Sequence, residues 1–257
     1  MNKASCGSRR LVKVSNQSGC GTKGASQQTP SAEPYATPST QELGQAIKED
    51  DIVLAYVVRT CQPIYGGGLP SPLLRHTGSG PNLDGGRITL CTCKHKIRTS
   101  PVFEADDSKS RIWIAGFSSS KGGKENWLFY LMKVDEAFDD QRGIYERLKL
   151  SPDVLVEKLA ASNVLGDIFE PLNPCRDPLN PDNYKLPHME HRHIEGDLWR
   201  RDIQSRYHGR NPKMLLGDQV ASYCYSVGKI KLNAKRMTQG YSRMSGEEFL
   251  RRLVDFQ

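Results

Sequence analysis

The chain has 257 residues, 37% of them hydrophobic and 25% charged, with a mean hydropathy of -0.58. That mixture excludes a collagen-like fibre and a wholly disordered chain. It also excludes a membrane span, because the longest uncharged apolar run, Ile52 to Val58, covers 7 residues where a bilayer needs ~20. Net charge is +7 and unevenly placed: Lys and Arg concentrate in residues 1–41 and 199–257, while the segment between them is acidic. A basic face of this kind favours a polyanion, and nucleic acid is the commonest intracellular one.

Residues 1–41 are rich in Ser, Gly and Pro and carry one aromatic, Tyr35. They are expected to be a disordered basic tail, ahead of a folded domain over residues 42–257. The first residues include Lys3, Arg9, Arg10 and Lys13 without an apolar stretch, unlike a secretory signal. With the odd cysteine count of 7, this predicts reduced thiols and an intracellular, cytoplasmic or nuclear, setting.

Thr40 is placed as the N-cap of a short helix carrying Leu43, Ala46 and Ile47. Ile52 to Arg59, β-branched and aromatic, reads as a central strand buried on both faces. From Cys61 to Gly86 the prolines and paired glycines predict a long surface loop. Arg87 to Cys93 alternates like a second strand and leads into the basic run Lys94 to Arg98. Two more strands, Arg111 to Gly116 and Trp127 to Val134, flank a flexible basic hairpin loop at 118–124. Helices are expected after Ser151-Pro152 and from the capping box Ser245 to Glu248, and the proline-rich segment 170–187 reads as irregular. These elements make an α+β chain with a β-rich, much interrupted core.

Two clusters have the residue types of a metal site. Cys91, Cys93 and His95 share one face if the strand continues, and His188, His191 and His193 precede several carboxylates. Neither has a second ligand pair at a usual spacing, so no metal and no cofactor are expected. Phosphate loops, nucleophile elbows and dinucleotide fingerprints are missing from the sequence. What remains is a set of strand aromatics, among them Tyr56, Trp113, Trp127 and Tyr225, interleaved with Arg59, Lys94, Lys96, Arg98 and Arg111. Flat rings beside phosphate-binding cations suit an unstacked or flipped base.

The blocks Ala55 to Arg59, Thr89 to Arg98, Ile112 to Gly116 and Leu128 to Glu136, with Tyr223 to Gly228, Gly240 and Phe249 to Leu253, occur here in one order. In that order they resemble the nucleotide modification associated domain 2 family, over residues 50–257. The resemblance implies a role in systems that modify or sense modified bases in DNA. It is also similar to the EVE and ASCH members of the PUA-like superfamily, implying a β-barrel-type core of mixed or antiparallel strands, flanking helices and a base-binding pocket lined by aromatics. The chain departs from the family in three places. Ser108-Lys109-Ser110 stands where the family has Gly-Asp, no proline lies near His95, and the 61–86 loop is longer.

Three readings follow. The first is a nucleic-acid-binding module, accessory to base modification, that recognises a modified or flipped base of DNA. In it Arg59, Cys93, Lys94, Lys96 and Arg98 contact phosphate or base, Trp113, Trp127 and Tyr225 offer stacking surfaces, and Arg243 in the basic C-terminal region holds the backbone. The second is a base- or nucleotide-modifying enzyme using Cys93 with His95, or a metal on His188, His191 and His193. The third is a basic protein-interaction domain. None of them involves a membrane.

Overall fold

Residues 35–77, 80–92, 94–104, 111–120, 125–160, 167–185, 199–204, 206, 209–233, 237 and 240–256 are described in a computed structural model of the chain. All belong to one unit, residues 32–257. In chain order the elements are α1 (Thr40–Ala46), β1 (Ile52–Val58), β2 (Cys61–Ile64), β3 (Leu73–His76), β4 (Thr89–Leu90), α2 (His95–Arg98), β5 (Ile112–Ser118) and β6 (Leu128–Phe138). Then come α3 (Gln141–Leu148), α4 (Pro152–Leu159), α5 (Arg200–Gln204), β7 (Met214–Cys224), β8 (Ile230–Leu232), β9 (Tyr241–Ser245), α6 (Gly246–Arg251) and β10 (Leu253–Asp255). Six strands form a curled half-barrel in the order β4-β7-β6-β5-β1-β9, and small ribbons pair β2 with β3 and β8 with β10. The class is mixed α+β. No described helix is long and apolar enough to cross a membrane.

β1 runs parallel to β5 and antiparallel to β9, so it is flanked on both edges as its apolar sequence predicts. In-register partners on neighbouring strands stand on one face of a sheet. One such row crosses five strands: Tyr241 on β9, Tyr56 on β1, Gly116 on β5, Tyr130 on β6 and Cys224 on β7. At its centre the Tyr130 ring lies over Gly116, where a Cβ would stand 2.1 Å from Cε1 of the ring. The two tyrosines meet across that gap, hydroxyl to hydroxyl at 2.8 Å and edge to face. Both are fully buried.

Asp51 closes one corner of the sheet. Its buried carboxylate accepts from Arg111 Nε and Nη2 (2.9 and 2.8 Å), Trp113 Nε1 (2.7 Å) and the Lys48 amide (2.9 Å). A carboxylate out of water needs such a complete donor set. A second corner is built on Lys158 of α4, also buried. Its ammonium donates to the Asn82 main-chain and side-chain oxygens (2.8 and 3.2 Å) and to the Arg87 carbonyl (2.5 Å). Nearby, Asp167 accepts from Thr89 Oγ1 at 3.1 Å, and burial raises its pKa.

Several expectations are corrected. The N-cap of α1 is Ser39, not Thr40: its hydroxyl accepts from the Glu42 amide, and the Glu42 carboxylate accepts from the Ser39 amide. The folded unit already includes Tyr35, which is buried and donates to the Leu83 carbonyl at 2.8 Å, and Ala36, which bridges to Tyr223. The expected tail of 1–41 therefore overlaps the fold, and residues 1–34 lie outside the described ones. The 61–86 loop contains the β2–β3 ribbon, because Cys61, Pro63 and Leu74 bury inward while Gln62, Ile64, Leu73 and Arg75 face out. The strand expected over 87–93 stops at Leu90, and Lys94, left-handed at φ 60°, turns the chain into α2. Alternation in the sequence does not reveal such a turn. Helix α3 is also new to the reading: Asp140 caps it at the Gly143 amide, and Ile144 and Leu148 face a second apolar cluster with Leu155 of α4.

Replacing Gly116 with alanine forces the Tyr130 ring off the sheet. We expect a loss of about 1–3 kcal/mol in urea unfolding, the usual cost of overpacking, with the Tyr56–Tyr130 contact broken. Wild-type stability in the variant would mean that the ring does not lie across the glycine.

Lys158 predicts a pH dependence. Burial holds its pKa at about 8, below the ordinary 10.5, so between those values the unfolded chain binds a proton that the folded chain does not. This contribution to stability therefore rises with pH across that window. Unfolding free energy should climb more steeply there in the wild type than in Lys158→Met, and equal slopes would contradict a low-pKa amine.

Candidate nucleic-acid cleft

The carboxyl ends of the parallel strands β1 and β5 open onto a cleft of about 910 Å³. Val57 and Arg59 come from β1 and its exit, Gln62 from β2, Ser119 and Ser120 from beyond β5, and Asn126 from just before β6. The α2 turn contributes Lys94, His95, Lys96 and Ile97, while Met237 and Gly240 ahead of β9 and Tyr241 at its start complete the wall. Arg59 and Lys96 are exposed, and Lys94 is half-buried. None of the described residues lining the cleft is an Asp or Glu. The cleft is therefore a basin of positive charge with hydroxyl and amide groups on its walls.

Each part is fixed by the chain around it. Lys94 is the one non-glycine residue with positive φ among those described. An L-residue held there carries local strain, which surrounding contacts must impose. Its ammonium donates to the Val57 carbonyl at 3.2 Å and sits 4.6 Å from the centre of the Tyr56 ring. The tyrosine row thus supports the cleft floor from below, and Tyr241, paired in register with Tyr56, reaches the wall from the same row. The Asn126 side-chain amide donates to the Ser118 carbonyl at 2.7 Å, and the Ser119 amide donates to the Cys61 carbonyl at 2.7 Å. These bonds tie the serine segment to β6 and β2.

His95 adds a titratable group. Its Nε2 lies 3.8 Å from Oδ1 of the buried Asp202 in α5. A carboxylate behind an imidazole orients the ring.

The structure brings Arg59, Lys94 and Lys96 together and places Arg98, Trp113, Trp127, Tyr225 and Arg243 elsewhere. Arg98 is fully buried. Its guanidinium donates to the carbonyls of Lys213 (2.9 Å), Pro212 (3.5 Å) and Thr92 (3.0 Å), pinning α2 to the start of β7. Trp113 is a core ring stacked on Tyr223, and Trp127 is buried with Nε1 donating to the Tyr65 hydroxyl at 3.0 Å. Tyr225 is buried as well and donates to the Pro38 carbonyl. None of these three rings lines the cleft. Their amphipathic edges found internal partners, so burial was open to them. Arg243 on β9 is exposed and outside the lining.

Cys93, His188, His191 and His193 lie outside the described residues. Among those described, no group of three or more His, Cys, Asp or Glu is placed to hold a metal ion. Cys91 is not on a shared strand face with His95: it is buried against α3 and α4, where burial pushes its thiol far up. Cys224 is pushed up to about 12 by burial. Both are protonated thiols at neutral pH and poor nucleophiles. Sequence reasoning missed Gln62, Ser119, Ser120, Asn126 and Tyr241 as cleft residues. Only Tyr241 had a local signal, an aromatic directly after a loop glycine in the basic C-terminal region.

Comparison of the chain with protein-family models, with curated proteins and with solved structures finds no match in any of the three.

The division between anchoring and cleft cations is measurable. Arg98→Met should cost about 3 kcal/mol in denaturant, since it strands buried carbonyls, whereas Lys96→Ala should stay within about 0.5 kcal/mol of wild type. If the two variants melt alike, the assignment of Arg98 to the core is wrong.

Proposed function

We propose that the cleft binds one unstacked nucleotide of a nucleic acid, DNA with a modified base in first place, as part of or accessory to a base-modification system. In this reading the curled sheet is a PUA-like core, and the chain is a member of the nucleotide modification associated domain 2 family acting inside the cell. Free thiols at Cys61, Cys91, Cys175 and Cys224 agree with that setting. The observation that carries the reading is the charge of the cleft: Arg59, Lys94 and Lys96 converge on it, and the described lining holds no carboxylate. Its volume of about 910 Å³ lies within the range of sites that enclose small ligands. Tyr241 supplies a ring for stacking, and Gln62, Ser119 and Ser120 supply donors and acceptors for a base edge.

A second reading, a base- or nucleotide-modifying enzyme, is favoured by one observation. His95 lines the cleft and has Asp202 behind it, an arrangement suited to a general base. Turnover of a modified-base oligonucleotide distinguishes the two: a binding module shows none with or without a His95→Gln substitution, whereas an enzyme turns the oligonucleotide over and loses that turnover in the variant.

Fluorescence anisotropy with a labelled single-stranded oligonucleotide tests the main reading. Affinity should fall as salt rises, and Arg59→Ala and Lys96→Ala should each weaken binding and lower the salt slope by about one. Binding that ignores both salt and these substitutions would remove the phosphate role.

A further inference from the structure

The β2–β3 ribbon has two unlike faces. Inward, Cys61, Pro63 and Leu74 are buried, and the ribbon is tied down by bonds from the Leu74 amide to the Ser226 carbonyl (2.8 Å) and from the Gly228 amide to the Pro72 carbonyl (2.8 Å). Outward, Ile64 and Leu73 pair directly across the ribbon, each 44% exposed, and Leu69 at the tip is 52% exposed. Apolar side chains placed together on a well-anchored ribbon in water point to a partner that covers them.

The surroundings specify the partner. Gln62, two residues before Ile64 on the same face, lines the cleft, so the apolar pair begins about 7 Å along the strand from the cleft wall. Arg75 stands opposite Gln62 and is exposed, as is Arg59 in the cleft itself. From Thr60 to Leu83 the sequence has no Asp or Glu. An apolar tip, then a cationic band, then a cationic cleft matches the layout of a duplex: stacked bases within, phosphates outside. The tip turns through Gly66, Gly67 and Gly68, all with positive φ, which gives it a slim backbone free of side chains.

We propose that the β2–β3 ribbon is a wedge for double-stranded nucleic acid: Ile64, Leu69 and Leu73 enter the base stack beside the nucleotide taken into the cleft, while Arg75 and Arg59 hold the flanking phosphates. The inference rests on the nucleotide-binding reading of the cleft and adds to it that the substrate is a duplex, opened by this protein. Unstacking a step costs a few kcal/mol, and apolar side chains filling the vacated space offset that cost. An acidic protein surface would also satisfy the arginines, but it offers nothing for the cleft that continues from them.

The test uses the full chain and two probes of one sequence, a single strand and a duplex with a central mismatch, each carrying 2-aminopurine at the mismatched position. The wild type should bind both and raise the 2-aminopurine fluorescence of the duplex. The double substitution Ile64→Ser with Leu73→Ser, confined to exposed positions, should abolish that rise and weaken duplex binding by about tenfold, with single-strand affinity unchanged within about twofold. A wild type that binds both probes, with a double variant that still opens the duplex, overturns the wedge and leaves the nucleotide cleft standing. Failure of the wild type to bind either probe removes the cleft reading, and the wedge with it. Equal weakening on both probes, or a wild type that self-associates in sedimentation through the same residues, also overturns the wedge.

Discussion

A missing side chain at Gly116 organises the middle of this protein. Only there can the Tyr130 ring cross the sheet to meet Tyr56, because any Cβ would occupy the space of the ring. The contact locks β1, β5 and β6 in register, and a one-residue slip in a sheet would move each side chain to the opposite face. With Tyr56 held, its ring lies under the Lys94 ammonium, and its neighbour in the row, Tyr241, stands at the cleft wall. One steric fact in the core thus sets the spacing between a cation in the cleft and a ring beside it.

The fold sorts its cations into two populations by what surrounds them. Arg98 and Lys158 are inside, each donating to at least two main-chain carbonyls, and Arg111 is half-buried on the Asp51 carboxylate. These groups join elements far apart in sequence, as when Arg98 binds the carbonyl of Lys213. A charge in such a place must be fully satisfied, since the desolvation cost of an unsatisfied one exceeds what a small domain can spare. Arg59 and Lys96 remain in water, where charge carries no such penalty and acts on approaching anions. Counting positive charges in the sequence therefore overstates the binding surface and understates the electrostatics of the interior.

This sorting explains what the sequence made legible. Strands β1, β5 and β6 and helices α4 and α6 were readable because burial on the sheet, a proline at a helix start and capping chemistry leave local patterns: Ile52 to Val58, Pro152, and Ser245 with Glu248. Arg59 follows the end of β1, whereas Lys94 and Lys96 reach the cleft through the α2 turn and not from a strand end. The turn at Lys94 was not readable, because a left-handed lysine is imposed by the Val57 carbonyl and the Tyr56 ring, which lie more than thirty residues upstream. Trp113, Trp127 and Tyr225 looked available for stacking because nothing near them in sequence names Asp51, Tyr65 and Pro38 as partners for their N–H and O–H groups. Helix α3 was hidden for a related reason: its apolar positions, Ile144 and Leu148, are few and find their complement in Leu155 of the next helix.

The segment most difficult to read was 61–86. A long loop without a task drifts toward polar, weakly attached chain, since water-exposed positions gain nothing from apolar residues. This one does the opposite on both counts. Its inner face is fastened to the Ser226–Gly228 segment and to the loop beyond β5, and its outer face keeps isoleucine opposite leucine. Fastening would serve stability alone, and exposed apolar pairing alone would be a liability for aggregation. The two together, beside a cleft that shares Gln62 with the ribbon, make sense if the ribbon must stay rigid while something presses against it. A base stack requires that of a wedge, because opening it is work done against the stiffness of the protein.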